Sequence, residues 1–290
     1  MKKSRGAVQQ NPNLMRNKAV RIFWSCVLGV LAFTTIYPLF FLFVNSFKTT
    51  VQLQTGDVFW FPKEWYFGNY YDAVVNRGIL KYFANSVLYT LGTVALTLMV
   101  SCMLSFALTR MQWRGREKAM PLVILGIIFP SQIVVTPVFM LLRRLRLVDS
   151  PLAVILVISA FSLGISTLIA TSFMRSIPSE MEEAAVIDGC GVWGIFFRIM
   201  LPIMHSPLAC MSVFIFLQSW NEMIYSLVII NTDALKTLPL ALLGYTLSTR
   251  TDYGGLFAAM AITSIVPILI YVFFSEQVEK AISAGDSMKQ

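Results

Sequence analysis

Glu182, Glu183 and Asp188 crowd into one short stretch, and paired carboxylates of this kind are the raw material of general acid–base catalysis. No histidine, lysine or metal-ligand pattern stands beside them, so a membrane enzyme built there would lack the rest of its machinery. The chain has a single histidine, His205, too few for a metal cluster or a Ser/His/Asp set. Close to Pro207, it reads as an interfacial residue at a helix start. Cys26, Cys102 and Cys210 lie in apolar blocks and Cys190 in a polar loop, without disulfide or ligand spacing, and they read as packing residues. Glu222 is different: it is ionisable yet sits inside an apolar run. A charge at bilayer depth costs roughly 2.5 kcal/mol or more, so such a group faces a bundle interior or a cavity.

The elements that position these groups are membrane helices. Of 290 residues, 57% are hydrophobic and 13% charged, about half the charged share of a soluble domain. The apolar residues gather into six stretches, 22–44, 84–108, 120–142, 152–174, 207–230 and 255–274, each of 20 to 25 residues. At ~1.5 Å per residue each can cross a hydrocarbon core of ~30 Å. None contains Lys, Arg or Asp, and the one Glu is Glu222. Lipid offers no hydrogen bonds, so each stretch must be a helix that satisfies its own backbone. The first is too long for a signal-peptide core and lacks a small-residue cleavage pattern, so it reads as a retained helix.

The net charge of +8 does not point to nucleic acid, because the basic residues flank apolar blocks instead of forming a basic patch. With alternating loops, fourteen Lys and Arg fall on one side and nine on the other. The positive-inside rule then places both termini in the cytoplasm. Arg143, Arg144 and Arg146 sit on the outer side and run against that rule. Pro38, Pro130, Pro137 and Pro267 can bend the helices that hold them, and Pro130-Ser131-Gln132 predicts a broken third helix. Such a break lines a cavity in some transporters and is merely tolerated in others. The outer 45–83 segment carries Phe59, Trp60, Phe61, Trp65, Tyr66, Phe67, Tyr70 and Tyr71. It reads as an interfacial aromatic belt in preference to a docking surface.

Between the fourth and fifth stretches lies the loop with the carboxylates. Ser179 and Glu182 have the spacing of a capping box, acidic residues follow at the positive end of a helix dipole, and Gly189 is a natural stop. The spacing predicts a short helix over 180–188 and a second apolar piece over 192–201. Ala184 and Ala185 would let another protein approach closely, and Val186, Ile187, Trp193 and Phe196 are expected as exposed apolar contacts.

Glu183-Ala184-Ala185, Gly189 and Ile199-Met200-Leu201-Pro202 fill every fixed position of the pattern E-A-A-x3-G-x9-I-x-L-P. In this the chain resembles the permease subunits of binding-protein-dependent ABC importers. Phe61-Pro62-Lys63-Glu64-Trp65 with Asn69-Tyr70, Trp220-Asn221-Glu222, and the end 283–289 resemble further elements of the sugar permeases. The spacing is close to the smaller permease of maltose-type importers. Lys280-Ala281 departs from relatives that carry Gly before the tail. The resemblance implies an all-α integral membrane protein with six transmembrane helices in the type I ABC importer permease fold (MetI-like). It divides into a cytoplasmic tail 1–21, a permease domain 22–274 with a coupling loop 175–203, and a cytoplasmic tail 275–290. It further implies that Glu182, Glu183, Ala184, Ala185, Asp188, Gly189, Ile199, Leu201 and Pro202 form the face that couples to a separate ATPase.

The implied partners are a second, different permease, an ABC ATPase dimer, an extracytoplasmic solute-binding protein, a carbohydrate and membrane lipid. The implied location is the bacterial plasma (inner) membrane. ATP and Mg would belong to the ATPase, since this chain has no phosphate-cradling G-x-x-x-x-G-K-[ST] loop. No cofactor or metal is expected on the chain itself. Gln218, Asn221 and Glu222 would border the translocation path, with Trp220 available to stack on a sugar ring. Their other reading, which we prefer from sequence, is a polar clasp between helices, at about 0.6 kcal/mol per contact. The alternative function is an ion-coupled secondary transporter, for which one intramembrane Glu and no visible internal repeat are thin support.

Overall fold

The computed structural model describes residues 18–56, 58–246 and 251–287. The basic residues Lys2, Lys3, Arg5 and Arg16 and the last residues of the 283–289 motif lie outside the described residues. All regular structure among those described is helical. The spans are α1 (Lys18–Asn45), α2 (Ile79–Thr109), α3 (Arg116–Ile128) continued by α4 (Val135–Arg144), and α5 (Pro151–Ser176). After a short helix α6 (Glu180–Ile187) come α7 (His205–Trp220), α8 (Ile224–Ile229) and the last helix, α9 (Tyr253–Ser287). Four helices are long and apolar enough to cross a membrane alone, and two bent pairs bring the total to six.

The third span breaks where expected. Phe129 precedes a proline and is held extended at φ −77°, ψ 115°, and Pro130 continues extended, so the segment Ser131–Arg144, which contains α4, leaves at 87° to α3. The fifth differs from the single helix expected over 207–230. It stops at Trp220 and resumes at Ile224. Asn221 donates from its side chain to the Leu217 carbonyl, which ends α7, and the Glu222 carboxylate accepts from the Tyr225 and Ser226 amides, which starts α8. Two polar residues therefore interrupt a run whose composition alone reads as continuous. Helix α7 also meets the preceding Val192–Ile203 segment at 77°.

Helices α2 and α5 pack along most of their length through a seam of small polar residues. Thr93, Thr97, Ser101 and Ser105, one turn apart on α2, and Ser159, Thr167 and Thr171 of α5 are all buried. Ser105 donates to the Thr167 carbonyl at 3.1 Å and Ser159 to that of Thr93 at 3.5 Å. Lipid tails are as apolar as Leu, so membrane helices associate by close packing of small residues and such hydrogen bonds. Gly164 serves the same end on the neighbouring face, where an added Cβ would lie 2.6 Å from Ile127.

Polar contacts fasten the end of the bundle remote from α6. Asn85 donates to the carbonyls of Ala234 and Lys236, and Ser86 accepts from the Leu238 amide. Asn69, from the motif shared with sugar permeases, is buried and donates to the Ser46 and Lys48 carbonyls, folding the 45–71 segment onto the start of α9. Arg77 bridges Asp72 and Asp252, both at 3.0 Å, with its guanidinium 4.0 Å over the Tyr245 ring. Of the aromatic belt, Phe59, Trp60, Phe61, Trp65, Tyr66, Phe67 and Tyr71 are exposed, while Tyr70 turns inward to Ser46. Arg143, Arg144 and Arg146 are exposed at this end.

Candidate functional site

The short helix α6 ends as its composition predicts. Gly189 takes φ +79°, the left-handed conformation that lets the chain turn without a Cβ clash. Its start differs from the expected capping box. Ser179 is helical at φ −69°, ψ −22° and makes no side-chain cap. Glu182 is drawn elsewhere: its carboxylate lies 2.7 Å from Nε of Arg110, just beyond the end of α2. The N–H does not aim along this contact, so charge and not a directed hydrogen bond makes the link. Burial pushes the Glu182 carboxyl above its usual value while the Arg110 charge pulls it back.

The two faces of α6 part company. Ala185 is only 6% exposed and packs with Phe106, Met174, Ile177 and Met200, so it faces its own bundle and not an approaching protein. Glu183, Ala184, Val186, Ile187, Asp188 and Gly189 face outward, Ile187 at 86% exposure. In the following segment Trp193 and Phe197 are exposed and stack at 6.0 Å. Phe196, expected outside, is 3% exposed and packs on Phe106. The cause is a π-helical turn over Ile195–Met200, whose wider winding shifts by one position which residues face the core. Ile199 and Leu201 pack partly buried against that core, and Pro202 is exposed.

Within the bundle the two broken spans meet around a cavity of about 390 Å³. Ser131 and Gln132 come from the break at Pro130, Gln218, Asn221 and Glu222 from the end of α7, and Phe161 and Tyr225 supply a stacked aromatic wall at 5.5 Å. Gln218 accepts from Ser162 at 3.0 Å. A second cavity of about 300 Å³ shares Ser131, Gln132, Phe161 and Gln218 with the first. Three of the four sequence-derived path candidates thus converge. Trp220 does not join them: at 2% exposure it is held between Phe216, stacked at 5.5 Å, and the edge of Phe83. Among the described residues no three His, Cys, Asp or Glu side chains gather as a metal site.

Two groups escaped the sequence reading. The Ser/Thr seam follows helical spacing in both α2 and α5, a signal that was present, whereas the pairing of Arg110 with Glu182 spans too many residues for any local pattern to announce.

A bundle of whole and broken spans thus surrounds a polar-lined cavity, with a short two-faced helix at one end. The chain belongs to the family of binding-protein-dependent transport system inner membrane components, whose pattern matches residues 98–284. It is 32% identical over 270 residues to a diacetylchitobiose uptake system permease protein of Streptomyces coelicolor, covering 92% of this chain and 86% of that one. It is 29% identical to an arabinooligosaccharides transport system permease protein of Halalkalibacterium halodurans, covering 94% and 99%. Its fold is similar to a chain of a bacterial ABC transporter that imports the acidic polysaccharide alginate, with a TM-score of 0.78 at 21% identity over 90% of this chain and 98% of that one. A chain of the MetNI methionine ABC transporter matches at a TM-score of 0.53 and 14% identity, over 72% and 96%. The expected permease fold is the observed one.

Proposed function

We propose that this chain is a non-catalytic subunit of an ATP-driven importer, carrying a di- or oligosaccharide delivered by an extracytoplasmic binding protein. The relatives named for diacetylchitobiose and arabinooligosaccharides support the substrate class. ATP and Mg would bind a separate ATPase dimer, a second, different permease would complete the pathway, and both termini would lie in the cytoplasm. Gln218, Asn221 and Glu222 would border the path. Their convergence with the Pro130 break favours that role over a helix clasp.

The observation that carries this reading is the division of α6 into an inward face at Ala185 and an outward apolar face at Val186 and Ile187. A solvated loop helix and its following segment have no reason to expose Ile187, Trp193 and Phe197; a surface that docks on a partner does.

Affinity capture of the tagged, detergent-solubilised chain from its native membrane tests the reading. Co-purification of an ABC ATPase and a second permease, with loss of the ATPase in Ile187→Arg, whose side chain is exposed, supports it. Ala185→Arg is a poor control, because the added charge would enter the bundle's own core. A chain that comes out alone while moving substrate down an ion gradient is a secondary carrier.

A further inference from the structure

We propose that Arg110 and Glu182 form the joint through which movement of α6 reaches the membrane-spanning bundle, an inference that rests on the importer reading above. Arg110 joins three helices at once. Its own backbone caps α2, its Nε meets Glu182 of α6, and its Nη2 donates to the Met174 carbonyl at 2.7 Å and the Ile177 carbonyl at 2.6 Å, where α5 ends.

The chemistry suits a fixed joint. Carbonyls at a helix C-terminus carry the negative end of its dipole, so the cation is held at α5 even before Glu182 arrives. A guanidinium presents its donors in a rigid plane, which sets the angle between the groups it binds, where a lysine would swivel. The two side chains are 14% and 16% exposed, so water screens the pair weakly. Apolar neighbours such as Phe106 and Ala185 hold the same helices together, but an apolar contact slides at little cost. A charge pair fixed to helix-end carbonyls resists that slide. Glu182 therefore faces the bundle while Ile187, on the same helix, faces away: one side receives a push and the other hands it on.

The route continues through α5. That helix carries Phe161 in the cavity wall and Ser162 on Gln218, so a displacement of α5 at Met174 and Ile177 moves the walls of the cavity. Arg110 and Glu182 touch neither nucleotide nor transported solute and are positioning residues.

The test uses the complete complex with spin labels attached at Ile165→Cys and Leu227→Cys, exposed positions on α5 and α8, in a chain whose native cysteines are replaced. The label-to-label distance is read without nucleotide and after trapping with ATP, Mg and vanadate, so no solute is needed. The wild-type distance shifts on trapping. In Glu182→Gln and in Arg110→Lys the ATPase still co-purifies, but the ratio of shifted to unshifted populations falls roughly 2- to 30-fold, the range for residues that carry coupling without touching either site. An unchanged ratio in assembled variants overturns the proposal, as does a wild-type complex whose labels do not move. Loss of the ATPase from Glu182→Gln also overturns it, by making Glu182 part of the docking face. If one variant fails to accumulate, the other decides. A wild-type chain that captures no ATPase instead removes the importer reading itself.

Discussion

The phenol of Tyr225 donates a 2.6 Å hydrogen bond to the backbone carbonyl of Ser131, joining the two interrupted spans across the cavity. Each break frees backbone groups that lipid cannot satisfy, and this bond gives the first break a donor from the second. The cavity exists because both interruptions fall at the same place and answer one another.

Removing that phenol isolates the bond. Tyr225→Phe keeps the stack on Phe161 and leaves the Ser131 carbonyl without its donor, a loss of about 1 kcal/mol. The thermal midpoint in detergent should drop modestly, and Tyr225→Leu should drop further because it also loses the ring. Equal midpoints for all three proteins would mean the bond carries no weight.

Glu222 starts α8 by accepting the Tyr225 and Ser226 amides at 2.7 and 3.1 Å. Glu222→Gln retains one acceptor and Glu222→Ala none, so the second should be less stable by about 1 kcal/mol. Uptake by the reconstituted complex should fall in both, since the group also lines the cavity. Normal uptake by both, with intact assembly, would remove Glu222 from the path.

Ile187 contributes nothing to the packing of its own chain. Ile187→Asp should change the unfolding of the isolated chain by no more than about 0.5 kcal/mol, yet abolish capture of the ATPase. Retention of the ATPase at wild-type levels would place the docking face elsewhere.

Gly189 has the opposite profile, because its φ of +79° is costly for any residue with a Cβ. Gly189→Ala should destabilise the 180–203 segment by about 1 kcal/mol or more, read as faster hydrogen exchange at Asp188 and Cys190. Open space surrounds the position, so the effect comes from backbone conformation and not from a clash.

A pH dependence follows from Asp149. Its carboxylate accepts from the Thr232 hydroxyl and from the Thr232 and Asn231 amides, which together hold it below the ordinary value of 3.8. A depressed carboxyl stabilises the fold at pH values above the unfolded value and loses that contribution as pH falls through the folded one. The clamp between 149 and 232 should therefore be constant from neutral pH to about pH 5 and fail only below 3.8, whereas Asp149→Asn should lack the charged clamp at every pH. Melting curves of both proteins across that range check it.

The spans were legible because twenty-odd apolar residues without charge leave lipid as the only solvent. Pro130 and Gly189 were legible because each acts on the backbone locally, whatever surrounds it. The break at Asn221 was hidden, since one Asn and one Glu barely lower the hydropathy of a long run. Phe196 was misplaced because counting at 3.6 residues per turn fails across a π-helical turn. Trp220 looked free to stack on a solute because local sequence cannot say that Phe83 and Phe216 already pack against its ring. Ser179 lost its expected capping role to a partner far away in sequence, Arg110, whose pull on Glu182 no nearby residue records.

The hydroxyl seam between α2 and α5 has a mechanical consequence. A serine or threonine inside a helix can turn its hydroxyl back to the carbonyl of its own preceding turn, as Ser162 does toward Ile158. A cross-helix bond can then be exchanged for a local one, although the buried Thr93, Thr97 and Thr167 hydroxyls make neither. The seam can thus adjust in small steps along its length, while Arg110 pins α2 to α5 at the end nearest α6.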